Sequence, residues 1–119
     1  MSNQSFVSAV RSATFIGDDN NKVAGSHGCK VILDITSVPG TDTVQLVIEG
    51  KDKLSGKYWT VLQSATQVAT ATVVLTVLPG IAVTANVSAS DSLPDVYRIR
   101  VVHSAASNFT YSVSVVELQ

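Results

Sequence analysis

Apolar and polar side chains alternate along most of this chain. In "CKVILDIT", Cys29, Val31, Leu33 and Ile35 fall on one side, with Lys30, Ile32, Asp34 and Thr36 on the other. A two-residue period is that of a strand with one buried face. "TVQLVIEG" repeats it, with Val44, Leu46 and Ile48 set against Gln45, Val47 and Glu49. "KYWTVLQS", "TVVLTVLPG", "DVYRIRVVHS" and "NFTYSVSVVEL" follow, and "SFVSAVRSATFI" precedes them. In the last two of the series, Tyr97, Ile99, Val101 and His103 share a face, as do Phe109, Tyr111, Val113 and Val115. Pro39-Gly40 breaks the run between two of these segments, and a Pro-Gly pair is a strong turn signal. No segment sustains a 3.6-residue apolar period over a helix length, and "SATQVATAT" has room for one short turn at most. About seven strands at regular spacing predict an all-β fold: one small antiparallel β-sandwich, Ig-like or jelly-roll-like, over residues 1–119. Residues 1–28 are expected to supply an N-terminal strand or arm, joined through "GDDNNKVAGSHG" and able to swing out and pair with another chain.

Within this series "EGKDKLSGKYWTVLQS" reads as the end of one strand, a turn containing Gly56, and the next strand. Tyr58 and Trp59 point to opposite faces, so one of them is expected to fill the core. The other is left for the surface or for a partner, as an aromatic contact.

Composition sharpens the fold and narrows the partners. Val, Ser and Thr supply 46 of the 119 residues (20, 15 and 11), a mixture that favours pleated strands and turns over helix. Charged residues are only 14% of the chain and the formal net charge is −1. That balance gives no electrostatic reason to expect nucleic acid or an anionic membrane as partner. A single cysteine, Cys29, allows no internal disulfide. The first residues lack a basic segment followed by an apolar one, so no signal peptide is read, and no apolar run nears 18 residues. Folding in a cytoplasm is the expectation, and the N-x-S/T triplets at Asn3, Asn86 and Asn108 are taken as chance.

Chemistry-bearing groups are sparse. His27 and Cys29 form an H-x-C pair, two ligands where a closed zinc site wants four. On an apolar strand face Cys29 should behave as a small hydrophobe with a raised pKa. "GDDNN" at 17–21 gathers oxygen donors but lacks the spacing and distal glutamate of a calcium loop, and Asp and Asn favour turns on their own account. "LSGKYW" lacks the outer glycine and the Ser/Thr of a phosphate loop, and no serine sits in G-x-S-x-G. No enzyme, metal site or cofactor is expected. Arg98 and Arg100 share one face of their strand, spaced to meet carboxylates at an interface or within the fold.

One ordered series of these features resembles a known group. "EGKDKLSGKYWTVLQS", a Thr/Ala-rich passage, "TVVLTVLPG", "NVSASDSLPDVYRIRVVHS" and "TYSVSVVEL" follow one another over roughly residues 44 to 117. The series is similar to small structural proteins of tailed bacteriophages and prophages. The resemblance implies a virion protein that homo-oligomerises and binds the major capsid protein, a head decoration or cement protein on the outer shell. The alternative under the same resemblance is a minor tail or tail-tip protein. It carries no catalytic or cofactor residues with it. Candidate partner contacts under this reading are Asp18 and Asp19 of "GDDNN", Lys51, Lys53, Leu54 and Lys57 around the turn, Trp59, and the Arg98 and Arg100 pair. A different class, a non-catalytic carbohydrate-binding sandwich, would need exposed aromatics and polar groups gathered on one rim; Trp59, Tyr97 and Tyr111 lie far apart in sequence.

Overall fold

Strand formation follows the alternation closely. The computed structural model describes residues 3–119; the first two residues of the expected N-terminal arm, and the side chains of Asn3 and Gln4, lie outside the described residues. Ten strands form among them: β1 (Asn3–Arg11), β2 (Phe15–Ile16), β3 (Asn20–Asn21), β4 (Gly28–Ser37), β5 (Val44–Lys51), β6 (Tyr58–Gln63), β7 (Ala71–Val77), β8 (Ser88–Ala89), β9 (Val96–His103) and β10 (Phe109–Leu118). No helix forms among the described residues.

The number corrects the expectation of seven. The first predicted strand divides into β1 and β2 because the chain crosses from one sheet to the other between them. β3 and β8 are two-residue pairings inside polar loops. Backbone hydrogen bonds alone define such pieces, so no side-chain period announces them.

One sheet runs β1-β10-β4-β7-β8; the other runs β2-β9-β5-β6, with β3 also on β9. All pairings are antiparallel except β7 with β8. The inward residues of both sheets belong to one core cluster: Val31, Leu33 and Ile35 from β4, Leu46 and Ile48 from β5, Tyr97 and Ile99 from β9, Phe109 and Val113 from β10. Cys29 is buried among them, its thiol pushed up to about 12 first by burial and then by the charge of Glu117. The parity that makes Phe109, Tyr111, Val113 and Val115 inward also sends Glu117 inward, and it is fully buried.

Polar bridges tie the two sheets together at both ends of the core. At one end the Tyr97 hydroxyl donates to Glu117 Oε2 at 2.7 Å, the Val23 amide donates to Glu117 Oε1, and Asn20 Nδ2 donates to the Tyr97 oxygen. At the other, His103 Nε2 and the Tyr111 hydroxyl lie 2.8 Å apart. A buried carboxylate without such partners would be costly, so these bonds keep the inward parity of Glu117 compatible with folding.

The outward face of β5 departs from simple alternation. Val47 and Glu49 point away from the core yet are buried. β5 is flanked by β9 and β6, and long side chains from both neighbours close over it.

Candidate functional site

Three segments meet at the β5–β6 end of the molecule: the loop around Asp19, the hairpin from Lys51 to Trp59, and the loop from Asp91 to Asp95. The hairpin is built by its own residues. The Asp52 amide donates to the Lys57 carbonyl and the Gly56 amide to the Asp52 carbonyl. The Asp52 carboxylate accepts from Ser55 Oγ at 2.8 Å and from the Leu54 amide at 3.1 Å. Those bonds, the serine's first, hold its pKa below the ordinary carboxylate range. Gly56 takes a φ of +75°, where a side chain would be strained. Leu54 at the tip is 97% exposed.

Outside the second sheet, a ladder of charges crosses the strands. Glu49 accepts from Arg98 Nε at 2.7 Å and from Arg100 Nη1 at 3.0 Å. The Arg98 guanidinium lies 3.5 Å above the Tyr58 ring, a cation–π contact. The Tyr58 hydroxyl donates to Asp19 Oδ1 at 2.6 Å, and Lys51 Nζ donates to Asp19 Oδ2 at 2.8 Å. The lysine bond, then the tyrosine bond, lowers the Asp19 pKa; the same ion pair raises that of Lys51. Asp19 is thereby paired with the fold's own cation. Among the described residues no group of three His, Cys, Asp or Glu is placed to hold a metal.

On the other side of the hairpin lies an open cleft of about 560 Å³. Trp59 and Pro94 form its floor. They lie together over Gly50, where a Cβ would come within 2.5 Å of the indole Cζ2 and 2.7 Å of Pro94 Cγ. The rim carries Asp52, Asp91, Ser92 and Asp95, together with Lys51 and Lys53. Asp95 is 3.7 Å from Lys22 Nζ and 3.5 Å from Lys53 Nζ.

The expectation that Tyr58 or Trp59 fills the core is overturned. Trp59 is 46% exposed and Tyr58 is half-buried beneath Arg98. β6 is the edge strand of its sheet, so the large core aromatics come instead from the inner strands as Tyr97, Phe109 and Tyr111. The burial of Tyr97 and Tyr111 also removes both from any exposed rim.

The remaining candidates fall as follows. Asp19, Lys51, Arg98 and Arg100 converge in the charge ladder, and Lys53 and Trp59 meet at the cleft. Leu54 and Lys57 sit on the hairpin turn, exposed; Asp18 is exposed beside Asp19. The arginine pair is engaged within the fold by Glu49, while Arg100 Nε is buried without a partner among the described residues. Residues that sequence reasoning passed over are Glu49, which closes the ladder, and Asp91, Ser92, Pro94 and Asp95, which complete the cleft. The opposition of Gly50 to Trp59 across the hairpin was the available signal, since a bare backbone opposite a large ring invites the ring to lie over it.

The chain matches no protein-family model, no curated protein and no solved structure.

Proposed function

We propose that the chain is a structural protein of a tailed-bacteriophage particle, a β-sandwich of Ig-like or jelly-roll-like kind that oligomerises and binds the major capsid protein on the outer head shell. The observation that carries this reading is the ordered run of motifs over residues 44 to 117, which is similar to such proteins in sequence. The motifs are fold-building pieces, which suits a protein whose work is to present surfaces. Asp52, Ser55 and Gly56 build a hairpin turn; Gly80 and Asn86 take positive φ of 82° and 62° in the connection after β7; Leu93 plugs the core next to Pro94. Two exposed features suit docking on a shell. The braced hairpin holds Leu54 outward, and the edge strand β1 shows Val7 (80% exposed) and Val10 (63% exposed). Many weak copies of such contacts on one shell would bind by avidity.

The test mixes the purified protein with particles of its phage that lack it, and pellets them. Co-sedimentation at a fixed copy number per head supports the decoration role. Retention by isolated tails and not by heads moves the protein to the tail. Binding to neither sinks the virion reading.

A further inference from the structure

We propose that the Trp59–Pro94 cleft is a binding site for a neutral saccharide, with the indole as its platform. Among the described Phe, Tyr and Trp side chains Trp59 is the one exposed, and the fold places a glycine beneath it. Because Gly50 has no Cβ, the ring and Pro94 lie against its backbone and form a continuous apolar floor. Such a floor meets the C–H face of a pyranose ring, and the volume of about 560 Å³ falls within the usual range of ligand pockets.

The rim decides the charge of the ligand. Three carboxylates, Asp52, Asp91 and Asp95, stand with the ammonium of Lys53; Lys51 also lines the cleft, but its ammonium is paired with Asp19. An anion such as phosphate would meet the carboxylates, and a metal ion would meet the Lys53 ammonium. Sugar hydroxyls both donate and accept, so a neutral polyol pairs with both kinds of group without burying an uncompensated charge. Hydroxyl-to-carboxylate bonds are of the strong, charge-assisted kind. The rim is also partly pre-set: Asp52 is held by Ser55 and the Leu54 amide, and Asp91 Oδ1 by the Ser92 amide. Little side-chain freedom is therefore lost on binding. The site is independent of the virion reading, and failure of one leaves the other standing.

Because Trp59 is the only tryptophan, its emission reports this cleft alone. The full chain is titrated with maltotetraose, cellotetraose, chitotetraose and mannotetraose, with inorganic phosphate and calcium chloride as charged controls. At least one sugar is expected to give a saturable change with a Kd of roughly 1 mM or tighter. Asp91→Asn keeps the fluorophore and should weaken that binding at least tenfold, while Trp59→Ala, followed by calorimetry, should abolish it. Circular dichroism checks that both variants fold. The proposal is overturned if none of the four sugars binds at roughly ten times that concentration. It is equally overturned if binding survives Trp59→Ala, or if phosphate or calcium binds as tightly as the best sugar.

Discussion

The buried Glu49 and the half-buried His103 show how single groups set stability here. The Glu49 carboxylate is 8% exposed and serves two guanidiniums that keep 20% and 30% of their surface. Glu49→Ala strands two cations over one face of β5. Losing one partner of a fully buried pair costs roughly 3–5 kcal/mol. Solvent still reaches the arginines, so about 2–3 kcal/mol is expected, read from urea unfolding. If the variant loses less than about 0.5 kcal/mol, the ladder is a surface decoration and contributes no more than an exposed pair would. His103 makes the acid side of stability visible. Burial first, and the charge of Arg11 after it, holds its pKa below the ordinary 6.5, against the opposing pull of the Ser107 backbone carbonyl. The unfolded chain then takes up a proton that the folded chain resists. The contribution is complete above about pH 6.5, declines as pH falls below it, and is gone once pH has dropped through the folded value. Asp19 and Asp52, lowered from 3.8, act only in a more acidic window. A His103→Asn variant should therefore show a flatter urea midpoint between pH 7 and pH 5 than the parent; equal slopes would remove His103 as the cause.

At the scale of the element, the β5–β6 hairpin is the most self-sufficient piece of the fold. It is the one antiparallel pairing between strands adjacent in the chain, and its turn satisfies its own backbone through Asp52. Gly56→Ala places a Cβ at φ +75° with nothing within 4 Å, so the cost is backbone strain alone. That strain is about 1–2 kcal/mol, and the thermal midpoint should fall accordingly. Gly40→Ala, at φ +106° in open space, lies farther from the left-handed region that L residues can reach and should cost at least as much. A clearly larger loss at Gly56 would mean that the turn also positions Trp59 and the cleft. The bulge between Ile48 and Glu49 twists this hairpin as it leaves the sheet.

At the scale of the molecule, almost every pairing joins distant parts of the chain. β1 pairs with β10 across some hundred residues, β4 with β10, and β5 with β9. Six of the nine connections, among them β4 to β5 and β9 to β10, cross between the sheets. Loop-closure entropy must be met before such pairings reward it, so refolding is expected in milliseconds to seconds rather than microseconds. Stopped-flow dilution from urea, followed by Trp59 emission and by far-ultraviolet circular dichroism, tests this; a completed microsecond phase in both would contradict it.

The alternation in β4, β9 and β10 was enough to identify strands and their inward residues, because the side-chain period of a strand is a local property of the backbone. Several turns were legible for the same reason: Gly40, Gly56 and Gly80 each take positive φ in a connection between strands. Even the inward Glu117 was implicit in parity, although an isolated carboxylate gave no reason to trust it. Partners across space were decided only by the tertiary structure. Whether Arg98 and Arg100 face another molecule or Glu49 depends on which strand lies beside β9. Whether Trp59 fills the core or the rim depends on β6 being an edge and on Gly50 lying opposite. The cleft required residues 50–59 and 91–95 to be brought side by side, and short-range periodicity carries no information about that. A strand's pattern states which face is buried; the order of strands in the sheets states what covers it.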